Sequence, residues 1–65
     1  STTIQTLLDA LETPFRVAVV MRDIIRLSEI QIAEILQLPL GTVRSRIHRA
    51  RLNMARSIAP SMDHV

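Results

Sequence analysis

Leu38-Pro-Leu-Gly-Thr-Val-Arg-Ser-Arg-Ile-His-Arg-Ala-Arg51 interleaves two patterns. Leu40, Val43, Ile47, Ala50 and, just beyond the run, Met54 recur at 3-4-3-4 spacing, which draws a narrow apolar stripe at the helical period. Every arginine of the run falls outside that stripe. The spacing predicts an amphipathic helix from about Leu40 to about Ser57, apolar along one side and basic around the rest. At about 100° per residue, Thr42, Ser45 and Arg49 point most directly away from the stripe. Arg44 and His48 flank them on one side and Arg46 on the other. Gly41 keeps the helix start slim, so that backbone N–H groups there can approach a phosphate.

Working outward, Pro39 drives Leu38 out of the α region, so Gln37-Leu38-Pro39 reads as a tight turn. Before it, Ser28 with Gln31 forms a capping box. That box predicts a short helix over about Glu29 to Leu36, with Ile32, Ala33 and Leu36 inward. A short helix, a tight turn and a longer basic helix make the outline of a helix-turn-helix. In that arrangement the first helix of the pair crosses the sugar-phosphate backbone and the second lays its N-terminal turns in the major groove. Further upstream, Thr13 as N-cap and Pro14 at the first helical position predict a helix running to about Ile25. Val17, Val20, Met21 and Ile24 are expected on its inward face, with Arg16, Arg22, Asp23 and Arg26 on the other side. Ile4, Leu7, Leu8 and Leu11 predict a first helix over about Thr3 to Leu11. No run alternates at strand period. The expected fold class is all-α: a small four-helix domain containing a helix-turn-helix, over residues 1–58. Residues 59–65, from just before Pro60 to the end, are expected as a flexible C-terminal tail.

Composition narrows the function. A chain of 65 residues holds one small domain, and below about 70–80 residues a single core has little stability to spare. Cysteine is absent, which excludes disulfides and thiolate metal sites. The apolar share of 48% and the mean hydropathy of +0.26 argue against disorder and leave room for a partner on apolar surface. With Phe15 the sole aromatic residue, there is no platform for stacking single-stranded bases. Gly41 is the sole glycine, which excludes a glycine-rich phosphate loop. The acids Asp9, Glu12, Asp23, Glu29 and Glu34 are scattered, and His48 and His64 are the two histidines. No nucleophile, acid–base pair or metal ligand set emerges, so no enzyme, cofactor or metal is expected. Five residues, Val17 to Met21, form the most apolar stretch, against the about 20 a bilayer requires. Ser1 in place of Met, with no leader, predicts a piece of a longer cytoplasmic chain.

The net charge of +2 is unevenly spread. Residues 1–39 carry three Arg against five acids, a net −2, whereas residues 40–65 carry five Arg against one Asp, a net +4. All eight basic residues are arginine, whose forked donors match phosphate oxygens and guanine edges. Such a face also fits plain solvation, but its one-sidedness points toward a polyanion or an acidic partner.

The quoted run closely resembles the recognition helix of sigma-70 family sigma factors of the extracytoplasmic-function (ECF) group. The likeness extends back through Leu27-Ser28 and Ile32-Ala-Glu-Ile-Leu36 to Pro14-Phe-Arg-Val-Ala and Met21-Arg-Asp23, and so covers about Leu11 to Met54. It implies region 4, the C-terminal domain that binds the promoter −35 element as duplex DNA. It also implies docking on the β flap of the RNA polymerase core, often an anti-sigma factor as a further partner, and a place at the bacterial nucleoid. By position, the family's promoter contacts fall on Arg44, Ser45, His48 and Arg49. Arg22 matches a family arginine that reaches DNA, and Thr42, Arg46 and Arg51 match positions that touch phosphates or brace the helix. Chemically, Arg44 or Arg49 suits a bidentate contact with guanine, Ser45 and Thr42 suit phosphate or a single base edge, and Arg22 suits the backbone.

The chain departs from the family in places. Arg26 and Gln37 stand where glycine is usual; if the backbone there takes positive φ, each costs about 1 kcal/mol. Glu29 and Ile30 replace an aromatic and acidic pair after Ser28, and Ile25 stands where the family is commonly polar. Ile25 and Ile30 are thus expected to be exposed, either as a partner patch or through local repacking. Leu52 and Ala55 lie off the apolar stripe and raise the same pair of readings. The rival function is a sigma-like protein-binding module whose basic face engages an anti-sigma factor or another acidic regulator instead of DNA. Nothing like a heptad seam is present, so a monomer is expected.

Overall fold

The computed structural model describes residues 3–58. Among them stand four α-helices and no strand: α1 (Ile4–Asp9), α2 (Thr13–Val19), α3 (Glu29–Leu36) and α4 (Leu40–Ile58). A π-helical turn, Val20–Ile24, continues α2 without a break. The expected all-α class and the pairing of α3 with α4 are both met. Pro60 and the predicted tail over residues 59–65 lie outside the described residues.

In α1 the Thr3 hydroxyl accepts from the Thr6 N–H at 3.2 Å and so closes the helix start. Leu7, Leu8 and Leu11 are buried, as their spacing predicts, whereas Ile4 is 62% exposed at the rim of a shallow apolar groove. At the start of α2 the expected cap is displaced by one residue. Glu12 is extended and its carbonyl accepts from both Phe15 and Arg16, which makes Thr13 the first helical residue. The Thr13 hydroxyl instead accepts from Arg16 Nη2 at 3.3 Å. Pro14 remains in the first turn, where its missing N–H leaves nothing unpaired.

The inward face of α2 also differs from expectation. Ala18 and Val19 are the buried residues; Val17, Val20 and Met21 are half-buried, and Ile24 is 56% exposed. Between Phe15 and Met21 nearly every side chain is apolar, so periodicity marks no face there. The packing of α4 chooses it: Val19 joins Leu8, Leu11 and Ala50, while Ala18 joins Ile32, Val43 and Ile47. Small Ala18 and Ala50, both fully buried, let the two helices approach closely. The π turn then widens the spiral, with Ile25 N–H bonding Val20 O at 2.9 Å and Leu27 N–H bonding Met21 O at 3.0 Å. One extra residue per turn rotates Ile24 out of the face that α2 would have continued.

These two clusters form the core, and α4 touches both. Its first half lays Val43 and Ile47 on α2 and α3, where Met21, Leu27, Ala33, Leu36 and Leu38 close the edges. Its second half lays Ala50 on α1 and α2, beside Phe15, Val20 and half-buried Met54. The apolar stripe of α4 is thus buried as its spacing predicts.

Two turns fix the angle at which α3 and α4 meet the rest. Ser28 and Gln31 complete the predicted capping box, each side chain bonding the other's backbone N–H at 2.9–3.1 Å. At the far end Gln37 is left-handed, with φ 55°. Gln37 N–H bonds Glu34 O and Leu38 N–H bonds Ala33 O, the paired bonds of a Schellman ending. Leu38 packs into the core, and Pro39 then blocks further helix before α4 begins. Arg26, with φ 73°, takes the same left-handed conformation after the π turn. Both positions that resemblance flagged for glycine therefore do require positive φ.

Candidate nucleic-acid interface

The stripe of α4 faces inward, so its opposite side is solvent-facing along the first three turns. Arg44, Ser45, His48 and Arg49 are all exposed there. Thr42 and Arg46, expected in the same set, are half-buried. Arg46 lies against α2 and the turn, where it lines a shallow groove with Thr13, Pro14, Val17, Leu36 and Leu38. Gly41 is exposed, and a Cβ added to it would meet nothing within 4 Å. Nothing in the domain itself demands glycine at that position.

Each arginine around this face has a distinct neighbour. Arg44 donates from Nε to Glu29 Oε1 at 3.0 Å, which ties α4 to the first residue of α3. The Arg49 guanidinium lies 5.0 Å from the centroid of the Phe15 ring, a cation–π placement. Arg51 grips Asp23 through two nitrogens, Nε at 2.9 Å and Nη2 at 2.5 Å, and thereby locks α4 to the π turn. Half-buried Arg22 donates from Nη1 to the Leu27 carbonyl at 3.2 Å, closing the left-handed turn around Arg26. Arg22, Asp23, Arg26 and Arg51 line one basin. Of the four residues expected on the outer side of the second helix, Arg16 alone stands apart from it, beside Thr13.

Electrostatics follow from these pairings. The hydrogen bonds from Arg51 hold the Asp23 carboxyl below the usual carboxylate range, and the charges of Arg51, Arg22 and Arg26 act in the same direction against its partial burial. The same pairing raises the Arg51 guanidinium. The basin therefore keeps a carboxylate ionised among three arginines, while the outer face of α4 remains cationic. Asp23, Glu29 and Phe15 are the residues that sequence reasoning left out of the site. Their partners lie 28 residues away for Asp23 and 15 for Glu29, beyond any helical repeat. Opposite charge was the one available signal, and it named no pair.

Among the described residues no group of three or more His, Cys, Asp or Glu comes together. No described helix is long and apolar enough to cross a membrane. The arrangement offers charge-assisted donors on an exposed helix face, which is equipment for binding.

Comparison with known proteins supports that reading. The family model for sigma-70, region 4 matches residues 1–54. The chain is 47% identical over 51 residues to the ECF RNA polymerase sigma factor SigW of Bacillus subtilis, covering 78% of this chain and 27% of that relative. It is 54% identical over 48 residues to the ECF RNA polymerase sigma factor SigE of Mycolicibacterium smegmatis, covering 74% of this chain and 19% of that relative. The chain thus spans between a fifth and about a quarter of the length of these relatives. No solved structure matches it. Family match, relatives and helix-turn-helix architecture agree: the chain belongs to the sigma-70 region 4 family, in its ECF branch.

Proposed function

We propose that this domain, over residues 1–58, reads the −35 element of a promoter in the major groove and docks on the β flap of RNA polymerase. It does so as one part of a longer ECF sigma factor, in the bacterial cytoplasm at the nucleoid, with an anti-sigma factor as a further partner. The observation that supports this reading best is the joint exposure of Arg44, Ser45, His48 and Arg49 on the first turns of α4, directly after a helix-turn-helix turn. Bases are reached from that face, whereas Arg22, Arg26 and half-buried Arg46 sit to its sides and suit phosphates. Thr42, half-buried at the helix start, suits a phosphate as well. The domain acts as a monomer in isolation.

A selection from randomised duplexes, followed by fluorescence anisotropy on the selected and a scrambled duplex, tests this. Loss of a bidentate arginine–guanine contact is worth about 1–3 kcal/mol, or roughly 5- to 150-fold. Arg44→Ala or Arg49→Ala is expected to remove discrimination on that scale. Equal, weak binding to both duplexes, lost steeply with salt and indifferent to both substitutions, would leave only a basic surface. The protein-binding reading, with an acidic regulator in place of DNA, would then take precedence.

A further inference from the structure

The two acids that touch α4 hold their arginines in different ways. Arg51 is closed: both its Nε and its Nη2 are engaged by the Asp23 carboxylate. Arg44 is open: Glu29 takes only its Nε, at 3.0 Å, and neither terminal nitrogen has a partner among the described residues. The Arg44 side chain is 61% exposed and Glu29 35%, so the free fork faces solvent beside Ser45 and His48. A free arginine side chain must be immobilised when it binds, and that ordering subtracts from affinity. The guanidinium is planar by itself, and holding it at Nε fixes the direction in which its two terminal nitrogens, which can donate to guanine O6 and N7, point.

We propose that Glu29 is the specificity-determining positioning residue of the DNA-reading face: it aims Arg44 at a guanine and penalises docking wherever Arg44 finds none. This rests on the promoter-binding reading above. Glu29 can fill that role because it is itself fixed. It is the first residue of α3, whose start is pinned by the reciprocal Ser28–Gln31 cap, and a carboxylate is favoured at that helix end. Its second effect is repulsion. A carboxylate close to the duplex opposes phosphate at every sequence alike, whereas the ordering of Arg44 helps only where a guanine accepts both N–H groups. Glu29 therefore lowers non-specific affinity while sparing specific affinity. Discrimination rises although total attraction falls.

The decisive experiment compares Glu29→Gln with Glu34→Gln in the 65-residue chain. Glu34 is exposed on the same helix and engages no ion pair among the described residues, so the two variants change net charge equally. Binding to the selected and scrambled duplexes is measured for both, with thermal melts to confirm folding. Glu34→Gln is expected to strengthen both complexes in equal proportion. Glu29→Gln is expected to strengthen the scrambled complex preferentially, so that the specificity ratio falls by about 1.5- to fivefold. In an Arg44→Ala background, Glu29→Gln should leave the ratio unchanged, because there is no fork left to aim. Equal strengthening of both duplexes by Glu29→Gln, or no change in either, would overturn the proposal. If wild type discriminates and Arg44→Ala discriminates equally well, the proposal fails while promoter reading survives. If wild type itself does not discriminate, promoter reading fails first and the proposal with it.

Discussion

Replacing Gln37 by glycine should stabilise this domain, although it removes a side chain and touches no buried residue. Gln37 ends α3 with φ 55°, and its backbone N–H and that of Leu38 complete the Schellman bonds to Glu34 and Ala33. A side chain in that conformation crowds its own backbone, at about 1–2 kcal/mol. Glycine avoids the crowding but gives up roughly 0.5–1 kcal/mol more chain entropy on folding. The balance favours Gln37→Gly by about 0.5–1 kcal/mol, which in a domain this small raises Tm by about 2–8 °C. Thermal and urea unfolding followed by circular dichroism measure the effect. The urea midpoint should rise at unchanged m-value, because the surface exposed on unfolding is the same. Gln37→Ala should stay within a few tenths of a kcal/mol of wild type, since alanine is strained there too. Glu34→Gly, in the right-handed body of α3, should cost about 1 kcal/mol. A Gln37→Gly protein that melts lower than wild type, by as much as Glu34→Gly does, would refute the assignment of strain to this turn.

Arg26→Gly, at φ 73°, should stabilise by a similar margin, about 0.5–1 kcal/mol, and weaken duplex binding by removing a charge from the basin it shares with Arg22; calorimetry and anisotropy read the two effects separately. Asp23→Asn tests the bridge to Arg51. Both side chains are more than a third exposed, so the pair contributes only about 0.2–1 kcal/mol. Because Asp23 titrates below its ordinary value when folded, that stabilisation is complete above the unfolded value of about 3.9 and disappears as pH falls through the lower folded value. The Tm difference between wild type and Asp23→Asn should therefore be constant from neutral pH to about pH 5 and shrink below about pH 4. Gly41→Ala should raise Tm, since helix propensity gains up to about 1 kcal/mol and the new Cβ meets nothing within 4 Å. It should at the same time weaken duplex binding if a phosphate approaches the backbone there, and equal affinities in anisotropy would remove Gly41 from the interface.

Much of this architecture was legible locally. A capping box, a turn ended by proline and a 3-4-3-4 stripe each involve residues within one helical turn or two. Local chemistry therefore placed α3, the turn and α4 within a residue of where they stand. The two positive-φ positions, Arg26 and Gln37, were flagged by the family resemblance alone, because nothing in their own residue type marks a left-handed backbone. Sequence failed where several faces were equally apolar. Along Phe15 to Met21 no stripe is defined, so Val17, Val20 and Met21 are half-buried and Ala18 and Val19 hold the centre. The π turn compounded this error, because a change of helical period rotates Ile24 outward without any signal in composition.

The same division runs through the exposed face of α4. Sequence by itself determined that Arg44, Ser45, His48 and Arg49 lie off the apolar stripe of one helix, because helical period alone sets that. Tertiary structure decided what each arginine does with its donors. Arg51 is closed on Asp23, Arg44 is held by one nitrogen on Glu29, Arg49 lies over Phe15, and Arg22 seals a turn. Those outcomes depend on the angles at which α2 and α3 cross α4. The crossing angles are set by buried Ala18, Ile32, Val43 and Ala50, residues that carry no charge.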